Sequence, residues 1–156
     1  VANIIYTKGQ AEVQEGNCPW DSGIIRVLLE RDTSLYLPDR RNDFLDSFTG
    51  GGGVEISCLG YVRQTLTSCE IVINDALDQV ELHCDNIEFG RLPGGQTVKG
   101  ALVYLQVGGD DSTPENDPLI AYFGTDNDNL LPVALAGSVF SITPASGILI
   151  KVEQGN

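Results

Sequence analysis

Short runs rich in Val, Ile, Leu, Tyr and Thr recur along the chain, separated by clusters of Gly, Pro, Asn and Asp. Such punctuation marks strands joined by turns rather than long amphipathic helices. Strands are predicted over residues 11–15, 24–30, 54–67 with a break near Gly60, 70–74, 79–84, 98–107, 119–123, 139–143 and 148–153. That set predicts an all-β chain: a single antiparallel β-sandwich or jelly-roll-like domain of about eight strands. One short helical turn is expected around residues 43–48, where Phe44 and Phe48 share a face, ended by Gly50-Gly51-Gly52-Gly53. Residues 1–20 are weakly patterned and are expected to form an extended N-terminal arm, with the sandwich spanning residues 21–156.

The hairpin over residues 69–84 is legible in detail. Pairing its strands about the centre of Asp75-Ala76-Leu77-Asp78 sets Ile71 opposite Leu82, Ile73 opposite Val80 and Cys69 opposite Cys84 on one apolar face. Glu70–His83, Val72–Glu81 and Asn74–Gln79 then occupy the other face. A slip of one residue destroys that sorting.

At 156 residues the chain fits one hydrophobic core, and 42% hydrophobic against 20% charged residues predicts that it folds. No stretch approaches the roughly 18 consecutive apolar residues of a membrane span, so no membrane association is expected. The first residues lack the basic and apolar regions of a secretory leader. Val1 is equally consistent with initiator removal and with cleavage of a leader. The formal charge is −13, from 22 Asp+Glu against 9 Lys+Arg, which argues against nucleic acid or an anionic bilayer as partner.

Candidate chemistry is sparse. His83 is the lone histidine, and on its strand it points away from Cys84, so the two do not form a nucleophile–base pair. No Gly-x-Ser-x-Gly elbow is present, and no enzyme activity is expected. Cys18, Cys58, Cys69 and Cys84 lack zinc-ligand spacing and are expected as thiols. Asp126-Asn127-Asp128-Asn129 alternates side-chain oxygens as calcium requires, but lacks the EF-hand Gly and closing Glu, and the same composition is ordinary for turns. No metal or cofactor is therefore expected, with Asp126 and Asp128 the candidate ligands if calcium binds. Gly50–Gly53 lacks the Lys and following helix of a phosphate loop and reads as a hinge. Arg40-Arg41, the one basic doublet, reads as a solvated turn or as a contact to a partner. Trp20 reads as a core residue or as the anchor through which an N-terminal arm grips a partner.

Several segments resemble a group of small tailed-bacteriophage virion proteins encoded among head and tail genes. The resemblance is carried by Gly60-Tyr61-Val62-Arg63-Gln64-Thr65-Leu66, Asp78-Gln79-Val80-Glu81-Leu82-His83-Cys84-Asp85 and Pro118-Leu119-Ile120-Ala121-Tyr122-Phe123. Ile25-Arg26-Val27-Leu28-Leu29, Leu37-Pro38-Asp39 and Asp43-Phe44-Leu45 extend it toward the N-terminus. It implies a structural subunit of the virion, assembled in the host cytoplasm: a cement or decoration protein that bridges major capsid subunits on the outer capsid surface, as a homo-oligomer. A tail, neck or connector component is the alternative station, and a carbohydrate-binding β-sandwich is the reading from another class.

Overall fold

The structure is a computed structural model that describes residues 3–15, 19–124 and 131–153. The fold is all-β, built from antiparallel sheets. Its elements run β1 (Ile4–Ile5), α1 (Thr7–Glu15), β2 (Ile25–Arg31), α2 (Asp46–Gly50), β3 (Gln64–Thr65), β4 (Glu70–Asn74), β5 (Gln79–His83) and β6 (Ile87–Arg91). There follow β7 (Thr97–Leu105), a 3₁₀ turn (Pro114–Asn116), β8 (Leu119–Phe123), β9 (Val133–Ala134), β10 (Val139–Ile142) and β11 (Ile148–Glu153).

The main sheet has the order β1-β8-β7-β2-β3, with β9 pairing the start of β7 beyond the end of β8. The pairs β10-β6 and the triplet β11-β5-β4 form two smaller sheets. Strands β2, β7 and β8 read as near-continuous apolar runs because both their faces are covered. On one face Ile25, Val27, Leu29, Ala101, Val103 and Ile120 pack against the smaller sheets through Leu82, Phe89, Phe140, Ile142 and Ile150. On the other, Leu28, Leu102, Leu119 and Tyr122 pack under Tyr6, Tyr36, Leu45 and Phe48. The second layer comes from the N-terminal segment and from the chain around α2, not from a sheet.

Residues 3–15 do not form an extended arm. Ile4 and Ile5 pair with Tyr122 and Ala121 of β8, and the segment 11–15, expected as a strand, is the second half of helix α1. Thr-Lys-Gly-Gln-Ala-Glu-Val-Gln-Glu is mostly helix formers, and its five-residue alternation is too short to distinguish a period of 2 from 3.6. Lys8 and Glu12 form an i,i+4 ion pair at 2.6 Å. Gly9 is buried against the β8 backbone, and a Cβ there would lie 2.6 Å from Ile120 Cα.

The stretch 54–67 is mostly irregular, with only β3 pairing to β2 and an isolated bridge between Glu30 and Glu55. The helical turn lies at Asp46–Gly50, with Phe48 buried and Phe44 half-buried beneath the Lys8 ammonium. Strands β1, β6 and β9 are additional to the expected set.

Gly9 yields a test in which propensity and packing have opposite signs. Gly9→Ala should favour an isolated helix by about 1 kcal/mol, yet here it forces α1 off β8. The expected result is a net loss of about 1–3 kcal/mol in unfolding free energy by urea denaturation.

Candidate interaction surface

The β4–β5 hairpin has the expected register: Glu70, Ile71, Val72, Ile73 and Asn74 face His83, Leu82, Glu81, Val80 and Gln79. Its burial differs from the expected one. Ile71 and Ile73, on the apolar face, are exposed, because β4 ends its sheet and overhangs the core. Glu81 and Gln79, on the face expected to be wet, are buried. Glu81 stays charged there because Asn74 Nδ2, His83 Nε2 and Gln79 Nε2 donate to its carboxylate at 2.9, 2.8 and 2.8 Å. Those bonds, that of Asn74 first, hold the carboxyl at about 2. His83 is thus bonded to its own strand, to Glu81 rather than to the opposing Glu70.

A second polar network lies at one end of the main sheet. Arg63 grips Glu55 with two parallel bonds of 2.9 Å, Nε to Oε1 and Nη2 to Oε2, and Tyr61 donates to the same carboxylate at 2.7 Å. Arg63 Nη1 donates to Tyr104 Oη at 3.1 Å, and Tyr104 donates in turn to Asp111 Oδ1 at 2.7 Å. Gln106 and Arg26 also donate to Asp111, at 2.8 and 2.6 Å. Burial disfavours the Asp111 charge, but these bonds and the two guanidinium groups outweigh it and lower the carboxyl from its ordinary value. Asp117 is fully buried and accepts from the Val107 N–H at 2.8 Å, and burial raises its carboxyl.

The acidic loop from Gly108 to Pro118 is therefore pinned by Asp111 and Asp117. Of its acids Asp110 and Glu115 are exposed, Asp111 is half-buried and Asp117 is buried. A third network, Tyr122 to Glu30 at 2.6 Å and Tyr6 with Tyr36 at 2.7 Å, lies inside the tyrosine-rich layer. The second and third networks join distant parts of the chain, whereas the Glu81 network stays within its own hairpin.

Trp20 is fully buried in the chain's own core, and its Nε1 donates to the His83 carbonyl at 2.9 Å. It does not present a surface to a partner. Arg41 is exposed and held by Asp39, with Nη2 to Oδ2 at 2.7 Å, and this bond lowers the Asp39 carboxyl to about 2. Arg40 is exposed, and its carbonyl accepts from Thr7 N at 2.9 Å. Gly51, Gly52 and Gly53 spend their N–H groups on Ser47, Thr49 and Phe48 carbonyls, which leaves no amide cradle for an anion there. Asp126, Asp128 and Cys18 lie outside the described residues. Cys58, Cys69 and Cys84 are thiols. Burial first, with Asp85 adding, pushes Cys69 up to about 11; Cys84 reaches about 12 through burial, Cys69 and Asp85. Both are poor nucleophiles at neutral pH.

What sequence reasoning did not single out is an apolar ridge beside Arg40 and Arg41. Leu35-Tyr36-Leu37 lies outside any helix or strand, and its successive side chains alternate in burial. Tyr36 enters the core while Leu35 and Leu37 stand 79% and 75% exposed. All eleven aromatic side chains are described, and every one is buried or half-buried. Among the described residues no helix is long and apolar enough to cross a membrane, and no three His, Cys, Asp or Glu converge as a metal site.

The Glu81 bonds make stability depend on pH. Because its folded value lies below the usual 4.5, its contribution is complete above about pH 4.5 and is lost as pH falls through about 2. Glu81→Gln should therefore be less stable than the parent chain at neutral pH, with the gap closing across that window. Urea midpoints measured between pH 2 and 7 check this, and a gap that widens on acidification contradicts it.

Comparison with protein families, curated proteins and solved structures finds no match to this chain.

Proposed function

We propose that this chain is a structural protein of a bacteriophage virion, a cement or decoration protein that bridges major capsid subunits on the outer surface. The reading is carried by the resemblance of the pieces quoted from Ile25 to Phe123 to small tailed-phage virion proteins. It demands no active site; it demands a rigid domain, a contact surface and repetition.

Physical features support it. The contacts of Asp111 and Asp117 hold the long loop between β7 and β8 to the domain, as suits a subunit displayed outside a shell. Leu35 and Leu37, with Arg40 and Arg41 just after them in sequence, are all exposed and supply the candidate contact residues, apolar and basic on a chain of net charge −13. The reading requires that Leu35 and Leu37 be covered in the assembly, since apolar side chains grouped in a patch mark interaction surfaces. The remaining acid, which includes Asp110 and Glu115, keeps closely spaced copies soluble.

Quantitative densitometry of purified particles tests the reading. Cement predicts copies on the order of hundreds per particle, a neck or connector station predicts about six to twelve, and absence from the particle overturns both. With capsids lacking the protein, the added chain should bind. Leu35→Asp with Leu37→Asp should weaken binding at least about tenfold while the fold is retained.

A further inference from the structure

Strand β4 closes one end of the β11-β5-β4 sheet, and among the described residues nothing pairs with its outer edge. An open edge offers a row of backbone donors and acceptors to another strand, and proteins usually blunt it with Lys, Pro or a bulge. Here Glu70-Ile71-Val72-Ile73-Asn74 has no Lys, Pro or Gly, and its ladder with β5 runs through all five residues without a shift. Beside that edge Ile71 and Ile73 are 45% and 71% exposed.

The strand is also complementary to itself. Set antiparallel against a second copy with the two-fold axis at Val72, Val72 meets Val72, each Ile71 meets Ile73 and each Glu70 meets Asn74. No acid faces an acid, and four isoleucines gather on one face. Moving the axis to Ile73 sets Ile71 opposite Asp75; moving it to Ile71 sets Glu70 opposite Val72. A slip to an axis between residues mismatches the two faces. Only the Val72 axis matches apolar with apolar and leaves every acid unopposed.

We infer that β4 is a homodimer seam: two copies of this chain pair antiparallel through β4 about a two-fold axis at Val72, joining their three-stranded sheets into one. The inference stands on the edge itself and does not depend on the virion reading. The seam is short, so association belongs to the weak class of interfaces. Each copy carries −13, so added salt screens their repulsion and strengthens the pair.

Sedimentation velocity on the full chain, from about 1 to 100 μM at low and high salt, provides the test. The expected result is a monomer–dimer equilibrium that shifts toward dimer with salt. Ile71→Asp and Ile73→Asp should each weaken it at least about tenfold, since each sets two carboxylates against isoleucine across the seam. Leu37→Asp, on the ridge before α2, should leave it unchanged. Circular dichroism confirms the fold of each variant, and the unmutated chain gives an independent reading: amide exchange at residues 70–74 should slow as concentration rises. A monomer at every concentration overturns the inference. So does a dimer indifferent to both isoleucine changes, or one that Leu37→Asp dissolves equally.

Discussion

Burial of β2, β7 and β8 on both faces governs the rest of the structure, because a sheet covered on two sides exposes no surface where a stray polar group can meet water. Glu30 and Tyr104 nevertheless project from it, into the layer that also holds Tyr6, Tyr36 and Tyr122. Most of these polar atoms are met by others, since an unpaired buried donor or acceptor costs about 1–3 kcal/mol, and Glu30 Oε1 is left without a hydrogen bond. The partners arrive from far along the chain: Tyr122 reaches Glu30, and Asp111 reaches Arg26. The second and third networks are thus a consequence of the two-sided core, and the second fixes the loop between β7 and β8.

Elements with a strong local signal were legible in the sequence. In the hairpin, strict alternation and a four-residue turn leave one register that sorts apolar from polar side chains, and β4 and β5 adopt it. Which side of that hairpin is wet was not legible, because exposure of Ile71 and Ile73 depends on how far the neighbouring core extends. β1 is two residues long, and β6 carries Glu88, Gly90 and Arg91, so neither shows an apolar run. At residues 54–67 the β-rich composition is real, but much of it serves side-chain anchoring, as at Tyr61 and Arg63, rather than a ladder.

The surface was legible in part. The basic doublet stands out in any charge count, whereas Leu35 and Leu37 are distinguished only by the inward turn of Tyr36 between them. In the acidic loop from Gly108 to Pro118, composition hides three different roles. Its aspartates look alike in sequence, yet Asp110 is solvated, Asp111 is shared by four side chains counting the longer Arg63 contact at 3.7 Å, and Asp117 is sealed. Ridge and open strand edge lie in separate parts of the chain, so contact with a larger assembly and pairing between copies make no claim on the same residues.

Trp20 is the only tryptophan, fully enclosed, and tied by its indole N–H to the strand next to β4. An indole so placed emits from an apolar cavity while the domain is intact and from water once the domain opens. Pairing at the far edge of β4 leaves that cavity untouched. The chain therefore carries an intrinsic optical reporter that answers to folding, and the pairing proposed at β4 can be followed separately from it.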